Sequence, residues 1–197
     1  AANIIKQKIK NPKFFVWSND FNNLREYFDS DEYVFVDNNI NKTITDFLVA
    51  GKTQAACEAF IAASSGANNE SHNLGVFQAV KNWAAKQKVV PEAPARGVWK
   101  SPKKVFAVKI EPEFIIKKNG GDTVVSVYPR SSVPLNRDNA GAGIILLQQS
   151  YKGNGSEQFG ILDAHAEKAF WTPTNVSEIV LDNVVRFIDE NLPKFVD

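Results

Sequence analysis

With 197 residues, 44% of them hydrophobic and 23% charged, the chain has the composition of a globular protein of one large or two small domains. A net charge of +1 gives no bulk attraction to nucleic acid, membrane surfaces or acidic partners. The single cysteine, Cys57, excludes an intrachain disulfide framework, and no apolar run approaches the roughly 20 residues of a membrane helix.

The elements follow in chain order. Lys13–Trp17 (KFFVW) reads as a strand after Asn-Pro. Asn19 or Asp20 caps a helix running to Phe28, and Tyr33–Val36 (YVFV) is a second short strand. Asn41 then caps a helix with Ile44, Phe47 and Leu48 inward, and Gly51 suits its C-terminal cap. Thr53–Ser64 is Ala-rich and helical, with Cys57, Phe60 and Ile61 on one side. A further helix begins at Asn73 and carries Val76, Phe77, Val80 and Trp83 at helical spacing.

The texture changes at Val89–Gly97 (VVPEAPARG), a proline-containing linker. Residues 1–88 are thus a mainly helical region with two short strands. Residues 98–197 are an antiparallel sheet with a C-terminal helix, and the two regions are expected to pack as one unit. Val105–Ile110 alternates, with Phe106, Val108 and Ile110 sharing a face. Phe114–Ile116 and Val124–Tyr128 flank Asn119-Gly120-Gly121-Asp122, a strong hairpin signal. Pro129–Gly143 reads as a long polar loop. Ile144–Tyr151 and Gln158–Phe170 read as a second hairpin turning at Lys152-Gly153-Asn154-Gly155. The final helix starts at Thr174 or Asn175, with Val176, Val180, Val184, Phe187, Ile188 and Leu192 as its core stripe, and Pro193 ends it. The expected fold is therefore α+β: a helical N-terminal half packed with a two-hairpin antiparallel sheet and a C-terminal amphipathic helix.

Three constellations carry chemistry. Asp163-x-His165-x-Glu167 on a strand would put a carboxylate, an imidazole and a carboxylate on one face, the donor types of a divalent-cation site, with His72 as the other histidine of the chain. Trp99, Lys100, Lys103, Lys104, Lys109, Lys117 and Lys118 cluster around two strands, as lysine tracks with stacking aromatics do in single-stranded nucleic-acid binders. The loop after Tyr128 exceeds the usual length of connections, and its Arg130 and Arg137 would anchor it to carboxylates of a partner. No phosphate-binding glycine loop or nucleophile elbow occurs.

These observations lead to the expectation of a non-enzymatic structural or interaction subunit of a larger assembly, such as a virus or phage particle component. It would bind protein partners or copies of itself, with no cofactor, no catalytic residue and no membrane span. A single-stranded nucleic-acid binder is the alternative, and a metal-dependent hydrolase the second alternative. One free cysteine favours a reducing compartment or a virion over disulfide-stabilised secretion. The chain opens Ala-Ala and lacks Met, which fits loss of an initiator or proteolytic maturation.

Overall fold

The computed structural model describes residues 38–65, 69–130 and 134–191, so the two strands and the helix expected before residue 38 lie outside the described residues. The first three elements are helices: α1 (Asn38–Leu48), α2 (Gln54–Ser64) and α3 (Glu70–Ala84). α1 begins three residues ahead of Asn41, which is buried inside it rather than capping it. Gly51, with φ +70°, terminates this turn in the left-handed region. Thr53 caps α2, its hydroxyl accepting from Ala56 N at 3.2 Å. α3 starts at Glu70, so Asn73 lies within its first turn and donates to Ser65 Oγ at 2.8 Å.

A five-stranded sheet follows in the order β1-β4-β5-β6-β7, built from β1 (Lys88–Val90), β4 (Phe114–Lys118), β5 (Gly121–Tyr128), β6 (Gln158–Asp163) and β7 (Lys168–Phe170). β2 (Gly97–Lys100) and β3 (Ala107–Ile110) form a separate antiparallel ribbon. β4 and β5 make the expected hairpin. Asn119 and Gly120 take φ of 51° and 81°, as a two-residue turn between twisted strands requires. The linker expected at 89–97 is partly strand, since Val89 and Val90 pair with Ile116 and Ile115.

The second expected hairpin is not formed. Residues 137–150 are a helix, α4 (Arg137–Ser150), capped by Asn136 Oδ1 accepting from Asn139 N at 2.8 Å. The apolar run Ile144–Leu147 therefore belongs to a helix wedged between neighbours. As a result β5 pairs with β6 in parallel, from Thr123↔Gln158 to Tyr128↔Asp163, with α4 as the crossover. The sheet is mixed, and its second hairpin is β6–β7, turning at 164–167.

Strand alternation divides the core in two. Phe114, Ile116, Val125, Val127 and Leu162 face α1–α3 and meet Ile44, Val76, Phe77 and Trp83. Tyr128 and Ile161 face the other way, onto α4, onto α5 (Asn175–Asn191) and onto the β2–β3 ribbon through Phe106, Val108 and Ile110. Of its expected stripe, α5 keeps Val180, Val184 and Ile188 toward the core, joined by Leu181 and Val185, whereas Val176 and Phe187 lie on the outer side with Ile179; Leu192 and Pro193 lie outside the described residues. Among the described residues, no helix is long and apolar enough to cross a membrane.

Candidate functional site

Strands β5 and β6 run parallel and end side by side at Tyr128 and Asp163, where Ala164 N donates to Tyr128 O at 3.1 Å. The chain continues from β5 through the buried carbonyl of Pro129 to Arg130, and from β6 into the turn 164–167. The buried Asp163 organises that turn. Its Oδ1 accepts from His165 N at 3.0 Å and from Ala166 N at 3.1 Å.

The turn aims His165 back across the strand ends. His165 Nε2 lies 2.9 Å from Pro129 O. His72, from the first turns of α3, stands beside it with ring centroids 5.1 Å apart and planes 31° from parallel. The two histidines of the sequence, far apart along the chain, thus share one rim of the sheet. Burial, and then the facing His165, hold the His72 imidazole below its ordinary pKa, against a smaller opposing pull from the Pro129 carbonyl.

Glu113 lies at the same end of the sheet, just before β4. It is 1% exposed, and its Oε2 accepts from Val127 N at 2.7 Å and Ser126 Oγ at 3.2 Å. These bonds tie the mouth of β4 to β5.

The residues singled out in the sequence fall as follows. Asp163, His165 and Glu167 do not share a strand face. Asp163 ends β6, while the other two sit in a tight turn where Glu167 takes φ 46°. Asp163 spends its carboxylate on backbone amides, because a turn this short leaves those N–H groups without other acceptors. Among the described residues, no group of three or more His, Cys, Asp or Glu side chains is placed to hold a metal ion.

The lysines divide between two sheets. Lys100 and Lys109 project from the outer face of the β2–β3 ribbon beside Val98. Trp99 alternates inward onto Phe106, and its indole N–H donates to Gln149 Oε1 at 2.9 Å. Lys103 and Lys104 lie in the ribbon's connection, where Lys103 N donates to Asp189 Oδ2. Lys117 pairs with Asp122 at 2.6 Å, and Lys118 Nζ sits 3.3 Å from the centroid of the Trp171 ring. Arg137 opens α4 rather than extending a loop, so the connection carrying Arg130 ends at Asn136.

The sequence pattern groups His165 with Asp163 and Glu167 and leaves His72 as the other histidine, with nothing local to place the two together. The signal that pairs them is the parallel β5–α4–β6 crossover, which carries the end of β6 to the end of β5 beside α3.

No family model matches the chain, and no curated protein matches it. The solved structure of SSO0001 is similar over 87% of this chain and 83% of that one, with a TM-score of 0.36 and 14% identity, a likeness too slight to carry any argument.

Proposed function

We propose that this protein is a non-enzymatic interaction subunit that joins a second copy of itself through the outer face of α5. The observation behind this reading is the row Val176, Ile179 and Phe187, which are 48%, 59% and 45% exposed. Spacings of three and eight put the three on one side of the helix, away from Leu181 and Val185. Val176 and Ile179 thus present large apolar groups on the side of the helix away from its buried residues.

Exposed charges of both signs, Arg186 and Glu190, stand on the same side as Ile179, with Asp182 next to them. Two antiparallel copies of the helix bring opposite charges together around the apolar row, which favours an isologous contact. The sheet edges are less suited to assembly. β1 and β7 have three residues each, and each carries an exposed lysine, Lys88 or Lys168.

Sedimentation velocity of the full chain over a range of concentrations tests the reading. The wild type is expected to sediment as a dimer or larger species, and Ile179→Asp as a monomer with an unchanged circular dichroism spectrum. A wild type that stays monomeric at the highest concentration overturns it.

A further inference from the structure

Two imidazoles and a carbonyl gather at the rim of the sheet: His165, whose Nε2 is hydrogen-bonded to Pro129 O, and His72 with its ring beside that of His165. They come from three different segments, and the His165 turn is held in place by Asp163. The distances can be compared with those of a metal centre. Adding the radius of an imidazole ring to a Zn–N bond of about 2.0–2.1 Å places the centroids of two rings on one tetrahedral ion about 5 Å apart. The observed separation is 5.1 Å. The contact of 2.9 Å between His165 Nε2 and Pro129 O is shorter than the edge of about 3.4 Å between two donors on a tetrahedral ion with bonds of about 2.1 Å, so this hydrogen bond opens by about half an ångström when the ion enters.

We propose that one nitrogen of His72, one nitrogen of His165 and the Pro129 carbonyl oxygen form an open three-donor site for a borderline divalent transition cation such as Zn²⁺ or Ni²⁺. Imidazole donors favour these ions over Mg²⁺ or Ca²⁺, which take oxygen donors. His165 Nε2 gives up its hydrogen bond to Pro129 O when the ion enters. Asp163 acts as a positioning residue, because its hydrogen bonds to the turn amides fix where the imidazole points. The remaining coordination positions belong to water or to an incoming ligand, since no His, Cys, Asp or Glu among the described residues completes the set. His165 lies on the exposed side of the turn, so an ion reaches it without opening the core. The site uses residues remote from the α5 face and stands independently of the assembly reading.

The test is isothermal titration of the untagged full chain at pH 7.5 with ZnCl₂ and separately with NiCl₂, alongside thermal melting. One ion is expected to bind per chain and to raise the melting temperature. His165→Asn and His72→Asn are each expected to weaken binding at least about tenfold, and the double variant, which has no histidine, to abolish it. Because His165 is exposed, its single variant keeps the fold and decides the matter even if His72→Asn does not fold. No stoichiometric binding by the wild type, or binding that survives in His165→Asn at wild-type affinity, overturns the proposal.

Discussion

Glu113 is almost fully removed from water, and its Oε2 accepts from Val127 N and Ser126 Oγ. Glu113→Ala strands a buried backbone N–H, which costs about 1–3 kcal/mol. Denaturant melts are expected to show a loss in that range. Glu113→Gln keeps an acceptor oxygen and should lose clearly less. Cys57 is buried, with Sγ 3.9 Å from Thr43 O. Burial, and secondarily the Asp46 carboxylate, push its thiol pKa up. Iodoacetamide at pH 8 should therefore modify the native protein only as fast as the chain opens locally, and the urea-unfolded protein at once. A native thiol that reacts at the unfolded rate would show that α1 and α2 do not close over it. At this scale the sequence was legible for Cys57, whose Ala and Phe neighbours marked a buried site. It was illegible for the histidines, because the residues that bring them together are strand partners rather than chain neighbours.

The elements divide in the same way. α2, α3 and the β4–β5 hairpin could be read directly, since Thr53, the Val76–Trp83 spacing and Asn119-Gly120 are local signals that the tertiary structure keeps. α4 could not. Its first turns hold Asn139, Gly141 and Gly143, residues of low helix propensity, and its apolar run is too short to distinguish a helix from a strand. Packing decided the matter. A Cβ on Gly141 would lie 2.0 Å from Ser177 Oγ and 2.9 Å from Pro173 Cα, so the glycine that weakens the helix by propensity is what lets α5 approach it. Gly141→Ala is accordingly expected to destabilise the protein by about 1–3 kcal/mol despite alanine's better propensity. Ser177→Ala in the same chain should recover part of that loss, and a thermal double-mutant cycle would measure the coupling. A stabilised Gly141→Ala would mean that the α4–α5 contact is looser than described. The outward turn of Val176 and Phe187 has a related cause. Ser177 is wholly buried against α4, so its side of the first turn faces inward and Val176 faces out, while Val180, Val184 and Ile188 keep the expected stripe.

Across the molecule, the helical half and the sheet are joined through aromatic packing. Trp83 of α3 lies 6.2 Å, centroid to centroid, from Phe114 of β4 and the same distance from Trp171 beyond β7. Trp83→Ala should cost about 3–5 kcal/mol, and in the wild type the loss of helical circular dichroism and the change in tryptophan fluorescence should coincide in one transition. Two separated transitions would divide the chain into independently folding halves. The α+β class was legible from the change of texture near Val89, whereas the mixed strand order was not, because it depends on reading α4 correctly. The parallel pairing of β5 with β6 also has a kinetic consequence. A hairpin can zip from its turn, but these two strands meet only after the whole crossover has closed, so the central seam of the sheet is a contact of high sequence separation. Refolding should run in roughly milliseconds to seconds rather than microseconds. Until that seam forms, β5 offers an open edge to other nascent chains, and the recovery of folded protein should fall as the refolding concentration rises.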